Sequence, residues 1–324
     1  MFRWPHGRQV RGLFSSSPRP LPFDVDTSAA QRVAIPYDGG LMTVSPSHVA
    51  RRRGESTSSF DENLVRGLML APASANVVMQ LARRGVGRGV AESRVESGSF
   101  IQHPLKRTRT TLAFIWVALL GSDEERFQMR RNVDAQHRRV RSRPGDEVAY
   151  DAYDADLQLW VAACMYVGSL QGYETLYGKA SDDVVEVLLA RCSRFATTLQ
   201  VPAHKWPADR GAFEVYWQSS LLEVHVDGVT GAYLRDFVAL RFLPRPVATV
   251  LRPINRLLTL GYLDLTFRDA LHVTWSARDQ RRFLRVLASL RWLNRVTPSA
   301  VAQFPWNLVR YDTRRRLARG RSLV

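Results

Sequence analysis

Cysteine is scarce in this chain of 324 residues, which contains only Cys164 and Cys192. The two cysteines lie far apart, and each falls inside an apolar helical pattern. Such a pair forms neither a disulfide framework nor a zinc motif, and buried free thiols suit a reducing compartment. We therefore expect a cytoplasmic protein whose cysteines belong to its core.

Long hydrophobic runs are also missing. The most apolar stretches, 111–121 and 159–170, are shorter than the roughly 20 residues that a membrane-spanning helix needs. Residues 1–20 contain arginines but no apolar run of the signal-peptide type. We expect the apolar stretches to be buried core helices, and we expect no secretory leader.

Strand-like alternation does not last anywhere in the sequence, and no internal repeat stands out. The composition, 45% hydrophobic and 23% charged, is that of an ordinary globular protein. The pattern predicts an all-α protein with an irregular arm rich in Pro, Ser and Arg at 1–58 and a single large helical domain at 59–324. The predicted helices span 61–71, 74–84, 104–120, 122–142, 153–177, 181–199, 209–224, 230–242, 247–260, 277–295 and 304–318.

The net charge of +16 favours acidic partners such as nucleic acid or anionic lipid. The excess is mostly arginine spread along the chain, with denser runs at 50–53, 138–143 and 314–321. None of the usual nucleic-acid modules can be read in the sequence. Nucleic acid is therefore disfavoured as the main partner, whereas peripheral contact with a membrane stays open.

One histidine lies at the centre of the basic segment RRNVDAQHRRVRS. Helical spacing places Met129, Val133, His137 and Val140 on one apolar stripe, so His137 is predicted to face inward. A buried neutral imidazole needs a partner for each ring nitrogen, either a structural hydrogen bond or a metal. From this pattern alone, a structural histidine is the simpler interpretation.

The predicted helix at 104–120 begins polar and becomes apolar nearly all round. Its residues Arg107, Thr111, Phe114 and Ala118 share one face. An arginine and a threonine hydroxyl at the start of a buried helix could donate hydrogen bonds to an anion or a bound oxygen species. Alternatively, Arg107 extends into solvent and Thr111 bonds to its own helix backbone.

Taken in order, six segments resemble an actinobacterial branch of the MpaB-type oxygenases. That family shares a catalytic domain with rubber oxygenase (latex-clearing protein), a b-type haem protein. The resemblance covers roughly residues 64–316. The segments are VMQLARRGVGRGVAESRVESG, HPLKRTRTTLAFIWVALLGSDEER, VDAQHRRVRS, YDAYDADLQLWVAACMYVG, FATTLQVPAHKWP and LLTLGYLDLTFRDAL.

The resemblance implies a haem b protein with a globin-like haem-binding core. His137 and Val140 match the family's H-x-x-V motif, whose histidine is the proximal ligand to haem iron. Arg107 and Thr111 match the spacing of two residues that lie over the haem. The implied reaction is the oxidation, by molecular oxygen, of a hydrophobic substrate such as an isoprenoid chain or another lipid.

Further roles follow from the resemblance with less specific matches. Cations at the pocket rim would bind the haem propionates, and Arg138, Arg141 and Arg109 are the candidates. The family's glutamate base corresponds loosely to Glu92, with Glu96 as a competitor.

Three positions depart from the family's pattern. Thr110 stands where rubber oxygenases have a lysine, Ala162 where many relatives have a histidine, and Arg83 where others begin a His-Pro pair. These departures motivate a second hypothesis, a haem carrier or gas sensor without oxygenase activity. A third hypothesis is a haem-free basic helical protein that binds membrane or nucleic acid through its arginines.

Overall fold

The computed structural model describes Phe60, residues 63–93 and residues 100–323. Within these residues the chain forms thirteen α-helices and no strand, which confirms the predicted all-α class. The predicted arm at 1–58 and Glu96 lie outside the described residues. The globin-like arrangement of the core stays a prediction.

The helices follow one another with short connections. Two 3-10 helices span Gly67–Leu70 and Ala203–Lys205. The α-helices are α1 (Ala73–Leu81), α2 (Arg84–Ala91), α3 (Pro104–Leu120), α4 (Asp123–His137), α5 (Ala155–Tyr177), α6 (Asp182–Thr198), α7 (Arg210–Leu221), α8 (Gly228–Val238), α9 (Arg245–Tyr262), α10 (Leu265–Ala270), α11 (Ala277–Val296), α12 (Ser299–Ala302) and α13 (Trp306–Ala318).

The centre of the fold is α5, which packs against α1, α6 and α11. Its sequence is apolar nearly all round, so it buries side chains on every face, among them Trp160 and Tyr166. The ring of Trp160 stacks on that of Trp217 with 5.2 Å between centroids. The Asp154 side chain caps the helix by accepting hydrogen bonds from the backbone N–H groups of Asp156 and Leu157.

Helices α3 and α4 pack against each other; α3 carries Arg107 and Thr111, and α4 carries His137. The apolar second half of α3 is buried against α6, and α13 also packs on α3. After Gly121 a capping box begins α4, because Ser122 and Glu125 exchange side-chain to backbone hydrogen bonds. The inward stripe of α4 is confirmed for Met129 and Val133, both of which are buried.

The predicted helix 122–142 is five residues too long, because α4 ends at His137. Beyond that residue the backbone finds partners outside the helix. The N–H of Ser142 donates to the carbonyl of Tyr150 at 2.8 Å, and the N–H of Ala152 donates to the carbonyl of Val140 at 2.9 Å. His137 is therefore the last residue of its helix rather than its middle.

Helix α2 was not predicted, since its sequence RGVGRGVA contains three glycines, which disfavour helices. Close packing explains Gly87, where an added Cβ would lie 2.5 Å from the carbonyl oxygen of Leu81 and 2.6 Å from a methyl group of Thr230. Contact with α8 thus requires a residue without a side chain at this position.

Both cysteines are free and buried, as predicted. Burial raises the pKa of the Cys164 and Cys192 thiols, which keeps them protonated. Across the described part of the chain, none of the helices is both long enough and apolar enough to cross a bilayer.

Candidate functional site

His137 and Arg107 interact electrostatically, although they belong to different helices. Burial lowers the pKa of the His137 imidazole, and the positive charge of Arg107 lowers it further. The Gln200 side chain and the carboxylates of Asp134 and Asp151 oppose this shift. The net result is a histidine held in its neutral form, which has a free lone pair to donate.

One nitrogen of that imidazole has no partner. The Nδ1 atom of His137 is buried and has no hydrogen-bond partner. An unpaired polar atom in this position costs about 1–3 kcal/mol of folding free energy. Histidine binds metals as the neutral imidazole, so Nδ1 could serve as a metal ligand.

Arg107 lies in the polar first half of α3. Its side chain is exposed, yet the surrounding protein lowers its pKa through desolvation, and Tyr233 of α8 opposes that effect. Burial in turn raises the pKa of Tyr233. One turn beyond Arg107 on the same face, Thr111 is also exposed. We refer to Arg107, Thr111, His137 and Tyr233 together as the α3 group.

A glutamine pair fixes the surroundings of His137. Gln158 donates from Nε2 to the side-chain oxygen of Gln200 at 2.6 Å, and the backbone N–H of Gln200 donates back to the Gln158 side chain at 2.7 Å. The Gln200 amide also donates to the Asp134 carboxylate at 3.2 Å. The position of Gln200 next to His137 is thus determined from three directions.

Sequence reasoning missed this glutamine pair. The signal for Gln158 was present, because a buried polar residue in the apolar run LQLWVAAC needs a hydrogen-bond partner. Gln200 follows the end of α6 in a loop, and its sequence context carries no such signal.

The three candidate arginines for the haem propionates lie in different surroundings. Arg138 directly follows His137; its side chain is largely exposed and lies 3.8 Å from the Asp134 carboxylate. Arg141 is exposed, and its backbone forms an isolated bridge with Asp151. Arg109 is directed to α13, where it lies 3.5 Å from Asp312. The structure thus brings Arg138 and Arg141 near the end of α4 and directs Arg109 elsewhere.

Glu92 forms part of an ion-pair cluster centred on Arg88. The buried Arg88 guanidinium donates to Glu92 at 2.7 Å, to Asp227 at 2.6 Å and to Glu147 at 2.8 Å. Asp227 also caps α8, the helix that carries Tyr233. Among the described residues, the ion pair with Arg88 and the Asp227 cap of α8 relate Glu92 to the helix that carries Tyr233.

The three departures from the family's pattern are accommodated by packing. The Thr110 side chain is buried, and its hydroxyl donates to the backbone carbonyl of Arg107 at 3.0 Å. Ala162 is fully buried in α5. Arg83 lies over the Trp160 ring at 5.5 Å and forms an ion pair with Glu223 at 2.6 Å.

A protein-family model described as the catalytic domain of "ER-bound oxygenase mpaB/B'/Rubber oxygenase" matches residues 64–292. The chain belongs to this family. The matched range includes all of α1 to α10, and with them Arg107, Thr111, His137 and Tyr233. Membership confirms the resemblance read from the sequence and indicates oxygenase chemistry at the level of the family.

Two similar proteins come from mycobacteria. Uncharacterized proteins of Mycobacterium bovis and Mycobacterium tuberculosis are each 43% identical to this chain over 256 residues, which is 79% of this chain and 100% of the relative. No solved structure matches the chain.

Proposed function

We propose that this protein is a haem b-dependent oxygenase that acts with molecular oxygen on a hydrophobic, isoprenoid or lipid-like substrate. The observation that carries the proposal is His137, a neutral histidine whose buried Nδ1 has no partner and which interacts electrostatically with Arg107. The family's oxygenase description supports the reaction class.

The residues present fit a haem in three respects. First, a haem iron takes its proximal ligand from a single neutral histidine, and His137 is held in that form. Second, Arg107 of α3 interacts electrostatically with both His137 of α4 and Tyr233 of α8, so polar side chains of three helices act on one another beside the candidate ligand. Third, Arg138 and Arg141 at the end of α4 are exposed cations of the kind that bind propionates.

When bound, the haem would supply the iron at which oxygen is activated. The chain's own contribution is the polar side chains of the α3 group. Arg107 keeps its charge because a guanidinium is protonated in proteins, and its N–H groups can donate hydrogen bonds to an electronegative atom beside it. The Thr111 hydroxyl, one turn away, offers a further donor.

The substrate class is supported by an aromatic cluster next to Tyr233. Phe237 lies one turn further along α8, and its ring packs against Phe100 at 5.0 Å. Phe100 also contacts Phe242 at 4.8 Å. Phe237 is buried, whereas Phe100 and Phe242 are half-buried. The accessible parts of these two rings are apolar, so a hydrophobic molecule could replace their contacts with water.

Haem binding is tested first, by absorption spectroscopy of the full-length protein with added haem. We expect a Soret band in the wild type that His137→Ala loses or changes strongly, because the axial ligand is gone. The control is His204→Ala, since His204 is an exposed histidine far along the chain in the Ala203–Lys205 turn. Failure of the wild type to take up haem, or an unchanged spectrum in His137→Ala, would refute the assignment.

Haem carriage or gas sensing is the competing function. Thr110 favours it, because a short hydroxyl side chain bonded to its own helix replaces the family's lysine. The two functions are separated by oxygen consumption of the haem-loaded protein with and without an unsaturated isoprenoid. Substrate-dependent oxygen uptake supports the oxygenase, whereas a normal haem spectrum without uptake supports the carrier or sensor.

A further inference from the structure

Helix α9 exposes a stripe of large apolar side chains. Val247, Val250, Leu251 and Ile254 are spaced as i, i+3, i+4 and i+7, so they occupy one face of the helix. Their exposed fractions are 44%, 75%, 42% and 38%. Such a stripe normally faces a protein core; here we call it the α9 stripe.

The other side of α9 holds the helix against the domain. It packs on α1, α8 and α11. The Asn255 amide donates to the backbone carbonyl of Val238 at 2.9 Å, and its side-chain oxygen accepts from the Ser74 hydroxyl at 2.8 Å. Ala248 is buried on this side. Toward its end, α9 also buries Leu260 and Tyr262 in the core. The helix is thus attached through this side and its last turns, and the α9 stripe stays exposed to solvent.

The charge around the α9 stripe is predominantly positive. No aspartate or glutamate occurs from 237 to 263, a segment that contains Arg241, Arg245, Arg252 and Arg256. Helix α11, which packs on α9, carries Asp279 in its first turn and then enters a second segment, 280–311, that contains six arginines and no acidic residue. Two of the arginines have a carboxylate nearby, because Arg241 pairs with Asp236 at 2.9 Å and Arg256 interacts with Asp279. Arginines still outnumber carboxylates around the exposed apolar stripe, so its surroundings carry a net positive charge.

We propose that the α9 stripe docks into the headgroup region of an anionic lipid bilayer. Amphipathic helices that lie in a membrane interface combine an apolar face with arginine or lysine beside it. Each arginine near an anionic surface adds to the attraction. A second copy of this chain would bring the same positive charge to the contact and would be repelled, and nucleic acid would leave the apolar stripe without a partner.

This inference does not rest on haem binding. It does place the membrane next to the aromatic cluster, because Phe242 lies three residues before the start of α9. A hydrophobic molecule dissolved in the bilayer would thus meet the protein near the rings of Phe237 and Phe242.

The test is co-sedimentation of the full-length protein with vesicles. We expect binding to vesicles of equal parts phosphatidylcholine and phosphatidylglycerol, weaker binding at high salt, and little binding to phosphatidylcholine alone. Val250→Asp should reduce the binding constant about tenfold or more, because it removes an apolar contact with the bilayer and adds a negative charge that the anionic lipid repels. Its matched control is Val215→Asp on α7, where the valine is 73% exposed, almost as much as Val250.

A second pair of variants tests the charge. Arg245→Gln should weaken binding about fivefold, whereas Arg143→Gln, which removes an exposed arginine far from α9 in the chain, should not. Circular dichroism verifies that each variant is folded. Equal binding by Val250→Asp and Val215→Asp would overturn the proposal. A wild-type dimer that Val250→Asp dissociates would also overturn it, because the stripe would then belong to a contact between copies.

Discussion

Arg88 donates from its Nε to the Asp227 carboxylate at 2.6 Å, and only 8% and 10% of the two side chains are exposed. The same carboxylate accepts a hydrogen bond from the backbone N–H of Thr230 at 2.8 Å and so caps α8. One aspartate thus joins α2 to the helix that carries Tyr233. Removing the Asp227 side chain should therefore lower the free energy of unfolding more than removing an ordinary helix cap does.

We expect Asp227→Ala to lower the free energy of unfolding by at least about 1–2 kcal/mol, the usual effect of losing a capping aspartate. The loss of a partner for the buried Arg88 adds to this. Asp209→Ala is the matched control, because Asp209 caps α7 with an equivalent 2.8 Å bond but is exposed. Urea denaturation followed by circular dichroism measures both. Equal losses in the two variants would show that the Arg88 contact adds nothing.

The pKa of Asp227 also indicates how the free energy of unfolding should change in acid. Burial alone would raise the pKa of this carboxyl, but hydrogen bonds from Thr230 and Arg88 outweigh burial and hold the pKa below its usual value. Because the folded pKa lies below the unfolded one, the stabilisation is complete above about pH 4 and is lost as the pH falls through the folded value.

The comparison is with Asp227→Asn, which can still accept the bond that caps α8 but has no charge to titrate. We expect the unfolding free energy of the wild type to fall more steeply than that of Asp227→Asn below about pH 4. Parallel curves for the two proteins in urea titrations across this range would contradict the assignment.

The glutamine pair beside His137 should be coupled energetically. Gln158→Leu leaves the backbone N–H of Gln200 and the backbone carbonyl of Ala152 without their partner, so we expect a loss of about 1–3 kcal/mol. Gln200→Leu and the double variant complete a double-mutant cycle. The control is Gln218→Leu, because Gln218 forms an exposed bond to Glu214 and should cost less than about 0.5 kcal/mol. Strictly additive losses for Gln158 and Gln200 would refute the coupling.

The sequence predicted most of the helical framework because apolar spacing and capping residues are local signals. Ser122 and Asp154 mark the starts of α4 and α5 where the structure has them. The end of α4 was missed because its partners, Tyr150 and Ala152, come from a loop a dozen residues away. Long-range pairing of this kind leaves no periodic trace in the sequence.

The candidate site was likewise predictable only in part from the sequence. Spacing along one helix related Arg107 to Thr111, but the fold is needed to bring Tyr233 to Arg107 and Gln200 to His137. Arg109 carries the same charge as Arg107, yet two residues along a helix turn it to the opposite side and toward Asp312. Residue type and local spacing were readable, whereas the partners supplied by other helices were not.

Gly87 provides a test of the packing between α2 and α8. We expect Gly87→Ala to lower the unfolding free energy by about 1–3 kcal/mol, because the added methyl would overlap the Leu81 carbonyl and Thr230. Gly228→Ala is the control, since an added Cβ there meets no atom within 4 Å. The control should be neutral or slightly stabilising, because alanine favours helices. A neutral Gly87→Ala would mean that the two helices are less tightly packed than the structure indicates.

Arg107 should matter for turnover rather than for haem retention. If its guanidinium donates hydrogen bonds to the reacting oxygen, Arg107→Gln removes a fixed charge and should lower substrate-dependent oxygen uptake on the order of 100-fold, as the loss of one charge-stabilising donor does in other enzymes. The Soret band should persist, because His137 is unchanged. Arg107→Lys should recover part of the rate, since the charge remains but the planar arrangement of donors does not. Lys106→Gln, an exposed neighbour on α3, serves as the control. Full activity in Arg107→Gln would remove this arginine from the reaction, and loss of haem in the same variant would assign it to cofactor binding instead.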